Sequence, residues 1–306
     1  MGRGPYEVQA QAIHQVFEQL ADVRRAFPLL RLVYMLAMQW SNNREASEAR
    51  ARLRLANRLA LAQGIEFVGL CLPGPGKIRT LNGAIALANR MHLKGLMWVD
   101  DDVRLHSHCL VRLVDKFVRN RAKGAVGATK IPAIRDNLTS RLLQSVKGIT
   151  ESATNFPHGC CMMVETEALL GGIPDRYSSD DVYVCFRLLN PRAPNPLERL
   201  ELVRDARCTY SPGGRFLPTL AKVRLILLNQ CVFLADWPPE TTRYYFKHIL
   251  FIGLWPLGAW DGARGWLRGI AKLMLQWLYF ALFVLAGAEL VVRGFLRAPL
   301  RRIAWN

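Results

Sequence analysis

Residues 96–103 constrain the fold more than any other stretch, because four apolar residues end abruptly in three consecutive aspartates. A short apolar run bounded by polar residues predicts a buried strand. The acids then lie at the carboxyl edge of that strand, where open α/β sheets bind their ligands. Adjacent carboxylates repel one another, so stability alone does not explain Asp100, Asp101 and Asp102. A hard divalent cation, which takes carboxylate oxygens as ligands, would remove the repulsion.

The geometry of a strand makes this metal-binding hypothesis specific. If the three aspartates are extended, the first and third side chains point the same way. Asp100 and Asp102 can then hold one metal ion together, and phosphate oxygens complete its shell. The alternative interpretation is an Asp-rich turn that caps the next helix, which is a common arrangement.

The first hundred residues alternate between helical and extended patterns. Apolar stripes with helical spacing predict helices, and nearly continuous apolar runs predict buried strands. Three helices each precede a strand, and this order predicts a parallel α/β sheet. The helices are expected at residues 6–27, 45–63 and 77–91, and the strands at 29–40, 65–72 and 96–99.

The pattern continues with further short elements up to about residue 211. We expect a helix capped by Ser107 that runs to about Asn120, and a later helix that is opened by Asp180 and Asp181. Acids at a helix start are favoured by the helix dipole, so capping is a second explanation for this pair. The other elements are a strand at 124–131, a tight turn that enters a strand over residues 156–164, a short helix at 165–170 and a strand pair or strand–turn at 199–211.

A glycine-rich basic loop precedes the third helix. Gly76 is followed by Lys77 and Arg79 at the helix N-terminus, a combination that favours a bound phosphate. The spacing is not that of a P-loop. A basic turn at a helix start is also ordinary, so this loop alone is a weak signal.

The charge of the chain narrows the class of partner. A formal net charge of +17 indicates anionic partners, which are nucleic acid, nucleotide phosphates or anionic lipid. No recognisable nucleic-acid-binding motif is present, so a diphosphate and a membrane explain the charge better, and we expect no nucleic acid partner. The seven cysteines are scattered, which indicates neither a disulfide framework nor a zinc site and fits a reducing cytoplasm.

The last third of the chain is strongly apolar. Residues 217–237 predict a helix that lies in the membrane interface or docks on the preceding domain. Residues 246–260 are broken by Pro256 and indicate a re-entrant or tilted half-span. Residues 273–292 have about the ~20 residues that a bilayer crossing needs, although Gln276 and Glu289 interrupt them.

These segments predict two units, an α/β domain over residues 1–215 and a membrane-associated unit over 216–306, with one or two embedded helices. Arginines after the last segment favour a cytoplasmic C-terminus; they are Arg293, Arg297, Arg301 and Arg302. We therefore expect the chain at the inner (cytoplasmic) membrane, with its α/β domain facing the cytoplasm.

The order of these motifs resembles that of the GT-A glycosyltransferases of family 2, in particular the membrane-associated members that make polysaccharides or glycolipids. The resemblance covers about residues 29–215. It rests on a Gly-Lys element at residues 76–82, the triple aspartate, the strand at 125–128, the element at 159–164, the Gly171-Gly172 turn, the Ser179-Asp180-Asp181 helix start and Arg187.

The resemblance implies a GT-A, Rossmann-like mixed sheet with C-terminal membrane-associated helices. It implies an inverting transfer of a sugar from a nucleotide-diphosphate sugar, with a UDP-sugar expected, to a hydroxyl of a lipid or glycan. Asp100 and Asp102 would hold Mg²⁺ or Mn²⁺, and Asp181, beside Asp180, would be the general base. The remaining assignments are Lys77, Arg79, Asn82, Asp100 and Asp101 to the donor, and His158 and Gly159 to the acceptor side.

The chain departs from this family pattern at two places. The expected first strand, with a P-x-x-N-E-like element, is absent, and no carboxylate stands at Ser41-Asn42-Asn43, where the family has an early aspartate. The late Q/R-x-x-R-W motif of processive synthases is also absent, which argues against a processive enzyme. The alternative function is therefore a truncated or degenerate, non-catalytic glycosyltransferase-like membrane protein.

Overall fold

The computed structural model describes residues 6–40, 43–73, 76–120, 123–133, 156–157, 159–177, 179–210, 216–250 and 266–295. Its first hundred residues confirm the predicted alternation of helices and strands. The elements are α1 (Tyr6–Ala26), β1 (Val33–Trp40), α2 (Asn43–Ala62), β2 (Glu66–Pro73), α3 (Lys77–Arg90) and β3 (Gly95–Val99).

The predicted single parallel sheet is wrong in one respect, because the strands divide between two sheets. β1 and β2 form a parallel pair in which Val33 lies opposite Glu66 and Trp40 opposite Pro73. In the described strands β3 does not join this pair; it belongs to a separate five-stranded sheet. Its neighbour there is β6 (Cys161–Glu165), to which it runs antiparallel.

The five-stranded sheet is mixed and has the order β3-β6-β5-β7-β4. Its remaining strands are β4 (Val103–Leu105), β5 (Ala125–Pro132) and β7 (Leu200–Tyr210), and α4 (Cys109–Arg119) packs on it. β5 and β7 are parallel, with a register shift between Ala128 and Thr129. β7 is thus one strand with an irregular pairing, where the sequence predicted a strand pair or a strand–turn. The mixed α/β class itself is confirmed.

Helix α1 contributes to the hydrophobic cores of both sheets. Ile13 and Phe17 pack in the core of the two-stranded sheet with Ala56 and Ile65, whereas Val23 belongs to the core of the five-stranded sheet. Helix α3 likewise contacts β1, β2 and β3. No described hydrogen bond joins the two sheets, so they are held together by packing on these shared helices. Burial of apolar surface stabilises such packing by about 25 cal/mol per Å².

The core continues past residue 215. Beyond a 3₁₀ turn (Thr166–Leu169) and α5 (Asp180–Leu188), the chain adds α6 (Phe216–Asp236), α7 (Pro239–Tyr245) and a π-helical turn (Phe246–Leu250). Phe233 is fully buried, with its ring stacked 4.1 Å from that of Tyr177. The ring centroids of Tyr245 and Phe186 lie 4.5 Å apart. α6 and α7 therefore contribute to the same hydrophobic core as α5, while the division of the chain at residue 215 stays a prediction.

The last described helix, α8 (Trp266–Phe295), is strongly apolar. Its segment Gln276–Phe295 has a mean hydropathy of 1.8, and among the described helices it alone is long and apolar enough to cross a membrane by length and composition. Ala286 packs against Leu227 and Leu228 of α6, and Glu289 forms ion pairs with Arg224 of α6 and Arg293. Most of the half-span predicted at 246–260 lies outside the described residues.

Candidate active site

The antiparallel pairing of β3 and β6 brings the two acid-bearing regions together. Val99 at the end of β3 lies opposite Cys161 at the start of β6. One residue further, the Asp100 backbone N–H donates to the carbonyl of Cys160 at 2.9 Å. The triple aspartate therefore lies beside the Gly159-Cys160 segment at one edge of the larger sheet.

The three aspartates form a tight turn between β3 and β4, which corrects the extended arrangement considered from the sequence. The backbone N–H of Val103 donates to the Asp100 carbonyl at 3.2 Å, and the chain enters β4 at once. Asp101 and Asp102 are exposed, whereas Asp100 is partly buried. The turn does not cap α4 directly, because β4 intervenes and His108 is the N-cap residue of that helix. Metal binding by Asp100 and Asp102 stays a prediction.

Lys77 links the triple aspartate to the second acidic pair. As the first residue of α3, it follows Gly76, whose φ of 140° is strained for other residues. Its Nζ lies 2.8 Å from Asp100 Oδ1, 3.1 Å from Asp100 Oδ2 and 3.2 Å from Asp180 Oδ1. Burial lowers the pKa of Lys77, but attraction to Asp180 and Asp100 outweighs burial and holds that pKa above its ordinary value.

Asp180 is the most enclosed acid of the site, with only 4% of its surface exposed. Its Oδ2 has no hydrogen-bond partner among the described residues. Burial raises the pKa of Asp180 to about 6, although Lys77 lowers it. Burial likewise raises the pKa of Asp100 against the opposing effect of Lys77. The site therefore holds two carboxylates at a desolvation cost, which is typical of functional sites.

Asp181 is oriented by hydrogen bonds at the start of α5. Its Oδ2 accepts from the Gly159 backbone N–H at 3.1 Å, and its Oδ1 accepts from the Ser179 hydroxyl and the Val182 N–H, both at 2.9 Å. These hydrogen bonds hold the Asp181 carboxylate in the first turn of α5, whose N-cap residue is Ser179. The role of Asp181 as general base stays a prediction. A Cβ at Gly159 would lie 3.1 Å from Asp180 Oδ2, so any larger residue would push against the acidic pair.

Two residues assigned to the donor have different surroundings. The Asn82 amide donates to the Ile173 carbonyl and accepts from the Ile173 N–H, both at 2.8 Å. It thus fixes α3 to the Gly171-Gly172 turn, and its contact with a donor stays a prediction. Arg79 is exposed on the first turn of α3. His158 lies outside the described residues.

Three further residues support the site and were not identified from the sequence. Gln39, at the end of β1, donates to the Gly76 carbonyl at 3.0 Å and to the Thr80 hydroxyl. Trp98 Nε1 donates to the Gly159 carbonyl at 3.0 Å. Lys130 of β5 is close enough to lower the pKa of Asp100. Trp98 lies within the motif strand and could have been noticed, whereas Gln39 and Lys130 are brought near only by tertiary structure.

The side-chain oxygens at this site are of the chemical type that binds a hard divalent cation. Carboxylate oxygens of Asp100 and Asp180 converge on one positive group, the Lys77 ammonium, and Mg²⁺ prefers such oxygens. Within the described ranges no cluster of three or more acidic, His or Cys side chains is arranged to hold a metal. Mg²⁺ is often bound by one or two carboxylates and substrate phosphates, so the residues fit a site that the substrate completes.

These features define an α/β protein with basic and acidic groups gathered at one sheet edge, and comparison with known proteins extends this result. No family model and no curated protein matches the chain. A similar solved structure is the mannosyltransferase PcManGT from Pyrobaculum calidifontis in complex with GDP-Man and Mn²⁺, with 16% sequence identity and a TM-score of 0.53. The match covers 96% of this chain and 100% of that chain. This likeness shows a glycosyltransferase-like fold.

Proposed function

We propose that this chain is a membrane-associated, metal-dependent glycosyltransferase of the family 2 type. It transfers a sugar from a nucleotide-diphosphate sugar to a lipid or glycan hydroxyl, with inversion at the anomeric carbon. The observation that carries the proposal is the convergence of Lys77, Asp100, Asp180 and Asp181 at one edge of a glycosyltransferase-like fold.

The two acidic groups have separate tasks in this reaction. Asp181 accepts the proton of the attacking hydroxyl, since general-base catalysis needs an oriented carboxylate, and three hydrogen bonds orient this one. Lys77 and Arg79 complement the charge of the donor diphosphate. Asp100 and Asp102 are the residues that would hold Mg²⁺ or Mn²⁺, and the bound cation supplies Lewis-acid stabilisation of the leaving diphosphate.

The structural neighbour and the sequence resemblance indicate different donor nucleotides. The structural neighbour was solved with GDP-Man and Mn²⁺, which supports a nucleotide-sugar donor and a divalent metal. The resemblance noted from the sequence gave a UDP-sugar as the expected donor. We therefore propose GDP and UDP as the two nucleotides to compare first.

Membrane association is proposed from α8. Several large apolar side chains on its C-terminal half are exposed, which is unfavourable in water and favourable in lipid; they are Val284, Leu285, Val291, Val292 and Phe295. A transferase anchored in this way meets a lipid or lipid-linked acceptor at the membrane surface. The proposed location is the cytoplasmic membrane, with the sheets on the cytoplasmic side.

The first experiment measures binding of a panel of nucleoside diphosphates to the detergent-solubilised chain, with and without Mn²⁺ or Mg²⁺. We expect one nucleotide to bind in a metal-dependent manner, and Asp100→Ala or Asp102→Ala to abolish the metal dependence. Asp175→Ala, at another exposed acid, is the matched control and should bind normally. Metal-dependent binding that survives both site variants would refute the assigned ligands.

The separation of β1 from β3 favours a second candidate, a non-catalytic relative with an incomplete donor pocket. A folded chain that binds membranes but no nucleotide diphosphate under any metal condition would support this candidate. In that case none of the aspartate substitutions would change membrane binding, because α8 carries that property alone.

A further inference from the structure

Lys77 occupies the position between the two acidic clusters that a cation would be expected to fill. Its ammonium contacts both oxygens of Asp100, at 2.8 and 3.1 Å, and Asp180 Oδ1 at 3.2 Å. The Lys77 and Asp100 side chains are 23% and 26% exposed, so this contact is partly accessible to solvent. One positive charge thus partly neutralises two carboxylates from distant parts of the chain.

The ammonium and a metal ion need the same oxygens. A divalent cation on Asp100 requires at least one oxygen that Lys77 now contacts, and it would also repel the ammonium at short range. A lysine side chain is flexible and carries three donors, so it can move to another anion. A diphosphate beside the N-terminus of α3 offers that anion.

We propose that Lys77 is a competing internal cation, which keeps Asp100 from a metal ion until a nucleoside diphosphate takes over its ammonium group. The inference rests on the proposed donor site and adds the order in which the nucleotide and the metal bind there. The metal alone binds weakly. The nucleotide draws the Lys77 ammonium away from Asp100, and the metal then binds to the freed Asp100 carboxylate and to the phosphates. Metal and nucleotide therefore bind cooperatively.

The test compares Mn²⁺ binding by the wild type and by Lys77→Met, with the full chain in detergent and free Mn²⁺ measured by electron paramagnetic resonance. Without nucleotide, Lys77→Met should bind Mn²⁺ roughly tenfold more tightly, within the range usual for coupled sites. The tightening of Mn²⁺ binding by GDP or UDP should shrink by a similar factor. Unchanged or weaker Mn²⁺ binding by Lys77→Met would overturn the inference.

Two controls separate competition from general charge and from misfolding. Lys94→Met removes an exposed charge just before β3, at the opposite end of that strand from Asp100, and should leave Mn²⁺ binding unchanged. Lys77→Arg keeps the charge and should retain weak Mn²⁺ binding.

If melting curves show that Lys77→Met is unfolded, Lys77→Gln replaces it. The wild type is also informative by itself, since Mn²⁺ affinity that does not rise with bound nucleotide would overturn the inference.

The outcomes distinguish this inference from the proposed function. Absence of any nucleotide binding in the presence of metal refutes the donor site, whereas the comparison of Mn²⁺ alone still reports on competition by Lys77. Metal-dependent nucleotide binding with no effect of Lys77→Met retains the proposed function and rejects only the inference.

Discussion

The two acidic clusters of the site, Asp100–Asp102 and Asp180–Asp181, differ in how firmly the chain holds them. The first is a turn in which Asp101 and Asp102 are exposed. The second lies at a helix start, where Asp180 is buried and Asp181 is fixed by three hydrogen bonds. Ligand exchange tolerates a mobile, solvated group, whereas proton transfer requires fixed geometry. Under the proposed function, ligand binding therefore belongs to the first cluster and proton transfer to the second.

The strongest test of this comparison is Asp181→Asn. The amide retains the shape of the carboxylate and one acceptor oxygen but does not act as a base, so we expect transfer to fall by about 10²–10⁴-fold with nucleotide binding unchanged. Turnover and nucleotide affinity are measured on the same preparation. Full turnover in the variant would remove Asp181 from the base assignment and leave the comparison without its catalytic half.

Gly159→Ala tests whether the second cluster depends on close packing. The added Cβ would lie 3.1 and 3.2 Å from the two Asp180 oxygens and 3.2 Å from the Asp181 Cβ, so the acids must shift. We expect transfer to fall by about 10²-fold, as small misplacements can cause, with a smaller loss of metal-dependent nucleotide binding. Gly287→Ala, where a Cβ meets nothing within 4 Å, is the matched control. An equal loss of both properties would mean that the clusters are not separable.

The dependence of stability on pH reports on the burial of Asp180. The folded chain raises the pKa of Asp180 from 3.8 to about 6, so the folded state binds this proton more tightly than the unfolded state does. The stabilisation is complete below pH 3.8 and is lost as pH rises through about 6. In the Asp180→Asn variant this ionisation is absent. Its free energy of unfolding, measured by denaturant titration, should therefore fall less than that of the wild type as pH rises over this interval. The exposed Asp175→Asn should follow the wild type.

Asn82→Ala is expected to have the smallest effect on chemistry. It leaves the N–H and carbonyl of Ile173 without their partners, which costs about 1–3 kcal/mol per buried group. The unfolding midpoint should therefore fall while metal-dependent nucleotide binding changes little. Asn89→Ala, on the same helix, makes the same substitution at a side chain without a described hydrogen bond. A selective loss of nucleotide binding in Asn82→Ala would instead restore Asn82 to the donor site.

The sequence predicted the elements well, because periodicity and caps act locally. The start of α3 at Lys77 and of α5 at Asp180 follow from such signals. It did not predict that β3 pairs with β6, since hydrogen-bond partners of a buried strand leave no local pattern. Strand β4, with only three residues, gave no recognisable pattern, so the sequence left open whether the aspartates are extended or form a turn. An apolar residue such as Phe233 gives the same sequence pattern whether it faces lipid or packs on Tyr177. The sequence therefore did not indicate where the protein core ends.

The ion pairs of Glu289 have a consequence for biogenesis. If α8 spans the bilayer as proposed, a lone carboxylate in its second half would be costly to insert. Arg224 on α6 and Arg293 neutralise that carboxylate. The helix is then best accommodated when α6 is already beside it, so the domain and its anchor would mature together as a single folding unit.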